Sequence, residues 1–146
     1  MYNSKKILLV EDTPEDAELT LLAFKRKKIP IKIDIVKDGV EALDYLFNND
    51  NKKLIMPDIV LMDLKLPKVD GIEVLKKIRE NKTTKLLPVV ILTSSKEEKD
   101  IFNCYKHGAN SYICKSIDFD KFSNIIEVFG EYWFKINELP PNENLS

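Results

Sequence analysis

This sequence predicts a doubly wound α/β fold: one parallel sheet of five strands with five helices on its two faces. Three observations carry that expectation. First, Ile7 to Val10, Ile59 to Met62 and Val89 to Leu92 are unbroken apolar runs bounded by polar or turn residues, as expected of strands buried on both faces of a parallel sheet. Second, the stretches between strands show apolar residues at helical spacing behind recognisable cap residues. Third, a chain of 146 residues fits one domain with a single core and needs no disulfide or structural metal to hold it.

Each element can be justified in chain order. Strand one is Ile7 to Val10. Thr13 then caps the first helix with Pro14 at its first position and acids behind it, and Ala17, Leu21 and Phe24 repeat on one face. Strand two alternates, Ile31, Ile33 and Ile35 against Lys32 and Asp34, which suits an edge. Asp38 with Glu41, Asp70 with Glu73 and Ser95 with Glu98 have capping-box spacing ahead of helices two, three and four. Gly108 closes the fourth helix as its C′ residue, and Ser111 to Cys114 forms a short second edge strand. Asp118 caps the fifth helix, where Phe119, Phe122, Ile126, Phe129 and Trp133 recur before Pro140-Pro141 stops it. The domain is expected over residues 1–139 with a tail over 140–146, frayed from Asn142 to Ser146.

Right-handed crossovers with strands two and five at the edges give the spatial order 2-1-3-4-5. The chain reverses direction between strands one and three, so a crevice opens at their C-terminal ends. Polar residues stand there: Glu11-Asp12 after strand one, Asp63 after strand three, Thr93 at the end of strand four and Lys115 after strand five. Adjacent strands lie roughly 4.8 Å apart, so Glu11, Asp12 and Asp63 should meet and repel unless a cation joins them. An all-oxygen cluster with room for water suits Mg²⁺. A carboxylate nucleophile, a divalent ion, an ammonium and a hydroxyl around one crevice are the parts needed for phosphoryl transfer. Asp63, on the middle of the converging strands, is the expected nucleophile. Asp12, with Glu11 in part through water, holds the metal, while Thr93 and Lys115 meet phosphoryl oxygens.

Charge and composition exclude other classes. With 24 acidic and 23 basic residues the net charge is −1, so no overall field draws the protein to nucleic acid or a membrane surface. Neither a signal peptide nor a membrane span is expected, which points to the cytoplasm. Cys104 and Cys114 lack redox or metal-ligand spacing and read as core residues. His107 reads as a favourable charge at a helix end, and the lysine runs Lys25 to Lys28 and Lys76-Lys77 as solvated faces.

Val10-Glu11-Asp12, Met62-Asp63-Leu64-Lys65-Leu66-Pro67 with Asp70-Gly71, Leu92-Thr93-Ser94 and Tyr112-Ile113-Cys114-Lys115 together resemble the receiver domains of two-component response regulators. The resemblance implies a flavodoxin-like fold. It also implies that Asp63 takes phosphate from a phosphohistidine on a partner histidine kinase, that Glu11, Asp12, Asp63 and the backbone carbonyl of Lys65 form the Mg²⁺ site, and that the domain promotes its own dephosphorylation. Tyr132-Trp133 and Leu139-Pro140-Pro141 further resemble the single-domain regulators paired with bacterial phytochrome kinases. Two positions depart from the family pattern: Ser116 stands where many receivers have proline, and Lys65 places a long cation two residues after the acceptor.

In such receivers the hydroxyl corresponding to Thr93 moves toward new phosphate and the aromatic corresponding to Tyr112 turns inward, so the resemblance implies a switch on the surface of helix four, strand five and helix five. Output is expected through protein contacts. Val128, Phe129, Tyr132, Trp133, Phe134 and Ile136 exceed one core-facing stripe, which favours a homodimer through that surface and the C-terminal segment over a tail folded on its own domain. A phosphohydrolase of haloacid-dehalogenase type would want an acid where Lys65 stands. A flavin carrier would need a phosphate cradle where Glu11-Asp12 stands.

Overall fold

The computed structural model describes residues 5–48 and 56–141, so the expected frayed tail Asn142–Ser146 lies outside the described residues. Five parallel strands, β1 (Lys5–Val10), β2 (Ile31–Val36), β3 (Ile59–Met62), β4 (Val89–Thr93) and β5 (Ser111–Cys114), form one sheet in the order 2-1-3-4-5. Helices α1 (Pro14–Arg26), α2 (Gly39–Phe47), α3 (Gly71–Glu80), α4 (Glu98–Lys106) and α5 (Phe119–Glu131) connect and follow them. The predicted class, strand order and edge strands all hold.

The apolar runs are where they are because both sheet faces are covered. Leu8, Val10, Val60, Met62, Val89 and Ile91 face the layer of α2 and α3, packing on Ala42, Leu46, Val74, Leu75 and Ile78. Ile7, Leu9, Ile59, Leu61, Val90 and Leu92 face the other layer, against Ala17, Ala23, Phe24, Phe122, Ile126 and Phe129. At edge strand β2, Ile31 and Ile33 pack on that second layer, whereas Ile35 is 41 % exposed.

The cap predictions hold at three helices and fail in detail at two. Asp38 Oδ1 accepts from the Glu41 N–H, Asp70 Oδ1 from Ile72 and Glu73, and Asp118 Oδ1 from Asp120 and Lys121. Thr13 occupies the α1 cap position without a side-chain cap bond. Ser95 does not cap α4, which starts two residues later behind Glu97. The reason is competition: Ser95 Oγ donates to Asp100 Oδ2 at 2.6 Å, and its carbonyl accepts from the Tyr112 hydroxyl at 2.8 Å. Gly108, at φ +100°, is the C′ residue as expected; its N–H and that of Ala109 reach the carbonyls of Tyr105 and Cys104. The chain leaves helical geometry before Pro140, because Tyr132–Ile136 widen into a π-helical turn that ends at the extended Asn137.

Gly71 lets α3 start close against the end of β3. It opens the helix with its N–H on the Leu64 carbonyl at 2.8 Å. A Cβ there would lie 2.7 Å from the Asp63 carbonyl oxygen and 2.9 Å from Leu64 Cα. Gly71→Ala should therefore push the β3–α3 loop outward and cost about 1–3 kcal/mol, read as a lower urea midpoint at unchanged slope. An unchanged midpoint would mean the loop gives way freely.

Candidate functional site

At the C-terminal edge of the sheet the register aligns the strand ends. Val10 pairs with Met62, and one step on the Asp63 N–H donates to the Val10 carbonyl at 3.0 Å. Thr93 pairs with Cys114, and the Lys115 N–H donates to the Thr93 carbonyl at 2.8 Å. Polar residues thus begin on β1, β3 and β5 just where the apolar ladders stop, and β4 ends on Thr93.

Carboxylate oxygens of Glu11, Asp12 and Asp63 lie within 4.8 Å of one another. Asp63 Oδ1 accepts from the Leu64 N–H at 2.7 Å, while Oδ2 accepts from Lys115 Nζ at 3.0 Å. Glu11 Oε2 accepts from the Thr13 N–H at 3.3 Å. Lys115 closes the site, its Nζ 2.6 Å from Glu11 Oε1, 3.0 Å from Asp63 Oδ2 and 3.0 Å from Asp16 Oδ2. The peptide after Lys115 is trans, so Ser116 supports the loop without the cis bond that a proline there would permit.

The electrostatics follow from burial and crowding. Burial pushes the Glu11 carboxyl above its ordinary range; the Lys115 ammonium pulls it down, and the charge of Asp63 adds to the rise. Burial also works against the Lys115 charge, but hydrogen bonds to Glu11 and Asp63, with their charges, outweigh it and raise its pKa. Among the described residues the cluster of Glu11, Asp12 and Asp63 offers hard oxygen donors, and the Lys115 ammonium pairs with Glu11, Asp16 and Asp63. That chemistry fits a hard divalent cation such as Mg²⁺ and leaves negative charge for it to neutralise.

Of the residues singled out from sequence, Glu11, Asp12, Asp63 and Lys115 converge. Thr93 ends β4 beside them and is buried. Lys65 follows Asp63 by two positions in the loop to α3, and its side chain is exposed, with no ion pair among the described residues. Sequence reasoning missed Asp16. Its signal was available: a side chain in the first turn of a helix tilts toward the N-terminus, here back over the end of β1.

Outside the site, Cys104 is buried and burial pushes its thiol up to about 11, consistent with an inert core residue. At the C-terminal end, Phe129 is buried and Trp133 and Phe134 fold back against their own core, so the surplus apolar stripe is narrower than expected. Val128, Tyr132 and Ile136 remain exposed, at 67, 47 and 68 %. No helix among the described residues is long and apolar enough to cross a membrane.

The family model of the response regulator receiver domain matches residues 7–127. A protein of Methanothrix harundinacea described as "Probable methanogenesis regulatory protein FilR2" is 40 % identical over 134 residues, covering 92 % of this chain and 86 % of its own. Among solved structures, the phosphorylated cyanobacterial phytochrome response regulator RcpA superposes with a TM-score of 0.87 at 38 % identity, over 94 % of this chain and 99 % of that one. The Mn²⁺-bound form of response regulator Rcp1 does so with a TM-score of 0.84 at 34 % identity, with the same coverages.

Proposed function

Because the chain belongs to the response regulator receiver family, we propose that it is a phosphoacceptor in a two-component phosphorelay in which Asp63 takes a phosphoryl group from a phosphohistidine of a sensor histidine kinase. The observation that carries this reading is the convergence of Glu11, Asp12 and Asp63 within 4.8 Å, with Lys115 at 3.0 Å from Asp63. Asp63 Oδ2 attacks phosphorus, an oxygen–phosphorus bond forms, and the nitrogen–phosphorus bond of the donor breaks. The imidazole leaves with its electron pair and takes a proton from solvent.

Glu11, Asp12, Asp63 and the backbone carbonyl of Lys65 would hold Mg²⁺, which would supply positive charge against the phosphoryl oxygens. Lys115 shifts from the Asp63 carboxylate to a phosphoryl oxygen, and the Thr93 hydroxyl donates to another. Self-dephosphorylation uses the same groups with water as nucleophile. The kinase is defined by its phosphohistidine. Solved relatives are named as phytochrome and bacteriophytochrome response regulators, which supports a bacterial phytochrome as one partner of this kind. The receiver unit is read as residues 1–139 with the tail beyond, working in the cytoplasm without nucleic acid.

The signal leaves through β4 and its loop. As Thr93 moves to phosphate, the Ser95 carbonyl that holds the Tyr112 hydroxyl at 2.8 Å moves with the loop, and Tyr112 carries the change to the face of α4, β5 and α5. Phe102 and Tyr105 on α4 are 64 and 50 % exposed, and Val128 on α5 is 67 % exposed. We read that face, with the C-terminal segment, as a homodimer interface. Replacing Val128 and Ile136 together by Glu should turn a dimer into a monomer in analytical ultracentrifugation, since losing about 3 kcal/mol of apolar burial weakens association at least 100-fold. A wild-type protein that sediments as a monomer with and without phosphate would reject the dimer.

The function is tested with acetyl phosphate. With Mg²⁺ the protein should accumulate about one acid-labile phosphate per chain, and with EDTA none. Continuous release of phosphate without accumulation would favour a phosphohydrolase instead.

A further inference from the structure

Lys115 divides its ammonium among three carboxylates, and two of them are needed elsewhere. Glu11 and Asp63, at 2.6 and 3.0 Å, belong with Asp12 to the cluster that fits a divalent cation. Asp16, also at 3.0 Å, lies outside that cluster. Its side chain is 40 % exposed, whereas that of Lys115 is only 15 % exposed. Asp16 therefore sits at the rim of the crevice and Lys115 inside it.

A divalent ion and Lys115 compete for the same oxygens. Each oxygen of Glu11 or Asp63 turned toward the ion is withdrawn from the ammonium, and a mostly buried ammonium without an anionic partner is costly. The cost disappears if one carboxylate stays with the lysine throughout. Asp16 meets that requirement by position: it comes from the first turn of α1, four residues after Asp12, and α1 is fixed against the sheet through Ala17 and Phe24. Its backbone carbonyl accepts from the Thr20 hydroxyl at 2.9 Å, and its carboxylate reaches Lys115.

We propose that Asp16 is a positioning residue acting through Lys115: it keeps the ammonium at the rim of the acidic cluster on a carboxylate the metal does not use, so that Mg²⁺ binds without expelling or being opposed by Lys115. This rests on reading Glu11, Asp12 and Asp63 as the Mg²⁺ site. Asp16 itself contacts neither metal nor phosphoryl group. Its effect is to let one pocket hold two cations.

The test is Mg²⁺ affinity by titration calorimetry in wild type, Asp16→Asn, Lys115→Met and the double variant. Asp16→Asn should weaken Mg²⁺ about tenfold when Lys115 is present and no more than about threefold in the Lys115→Met background, where only direct loss of charge remains. A ratio of the two losses above about two supports the proposal, and a ratio of about two or less overturns it. Asp16→Asn alone gives a second readout that does not depend on Lys115→Met folding. In the Mg²⁺-loaded protein the hydrogen-bonded ¹H–¹⁵N ammonium signal of Lys115 should persist in wild type and be lost in Asp16→Asn, and equal persistence in both overturns the proposal. Failure of wild type to bind Mg²⁺ at all would overturn the metal site itself, a result distinct from normal binding without coupling.

Discussion

Asp63→Asn should abolish uptake of acid-labile phosphate from acetyl phosphate, a loss of at least about two orders of magnitude, while the protein stays folded. The substitution is nearly isosteric. Asn Oδ1 still accepts from the Leu64 N–H, now made at 2.7 Å, so the loop before α3 keeps its anchor. What goes is the charged oxygen that faces Lys115 at 3.0 Å, the proposed nucleophile. Neither neighbouring acid should take over: Glu11 is buried and already bonded to Lys115 and to the Thr13 N–H, and Asp12 is assigned to the metal in the proposed function. Anion-exchange or Phos-tag gels read the outcome directly. Substantial labelling of the variant would move the acceptor off β3.

Lys115→Met should have the largest effect on stability, about 3 kcal/mol near pH 8 without divalent ions, because it leaves Glu11 charged and unpaired inside the protein. The pH dependence has a definite sign. In wild type the folded-state pKa of Lys115 is raised above its ordinary 10.5. Its stabilisation is therefore complete below pH 10.5 and lost as pH rises through the folded value. Glu11 is raised above its ordinary 4.5, and more so without the ammonium. A carboxyl raised on folding favours the folded state as pH falls through its folded value, so the deficit of the variant should shrink on acidification. It should shrink above pH 10.5 as well, where wild type loses its own advantage. Saturating Mg²⁺ should recover most of the loss by giving the acidic cluster another cation. Denaturant titrations across pH test all three trends, and a deficit independent of pH and Mg²⁺ would mean the lysine's apolar stem, not its charge, supports the fold.

Much of the fold and site was legible because the strongest constraints act along the sequence. Strands β1, β3 and β4 must be apolar on both faces, so Ile7 to Val10, Ile59 to Met62 and Val89 to Leu92 stand out, and the first polar residue after each marks one edge of the sheet. The positions of Glu11, Asp12, Asp63 and Thr93 follow from that rule and strand order, and Lys115 from the end of the short edge strand β5. What stayed hidden depends on contacts between distant segments. Ser95 has the spacing of a cap, but Tyr112 and Asp100 claim its carbonyl and hydroxyl. Asp16 looks like an ordinary first-turn acid until β5 brings Lys115 to it across 99 residues. Phe134, outside the stripe that carries Phe129 and Trp133, packs on the same core with its ring 6.0 Å from that of Phe129.

The most direct test of Asp63 as acceptor is to locate the phosphate. Protein phosphorylated by acetyl phosphate with Mg²⁺ is reduced with borohydride, which converts an aspartyl phosphate to homoserine, then digested and sequenced by tandem mass spectrometry. Homoserine at position 63 and nowhere else is the expected result. Homoserine at position 12 or 16, or phosphate that resists acid and borohydride, would contradict it.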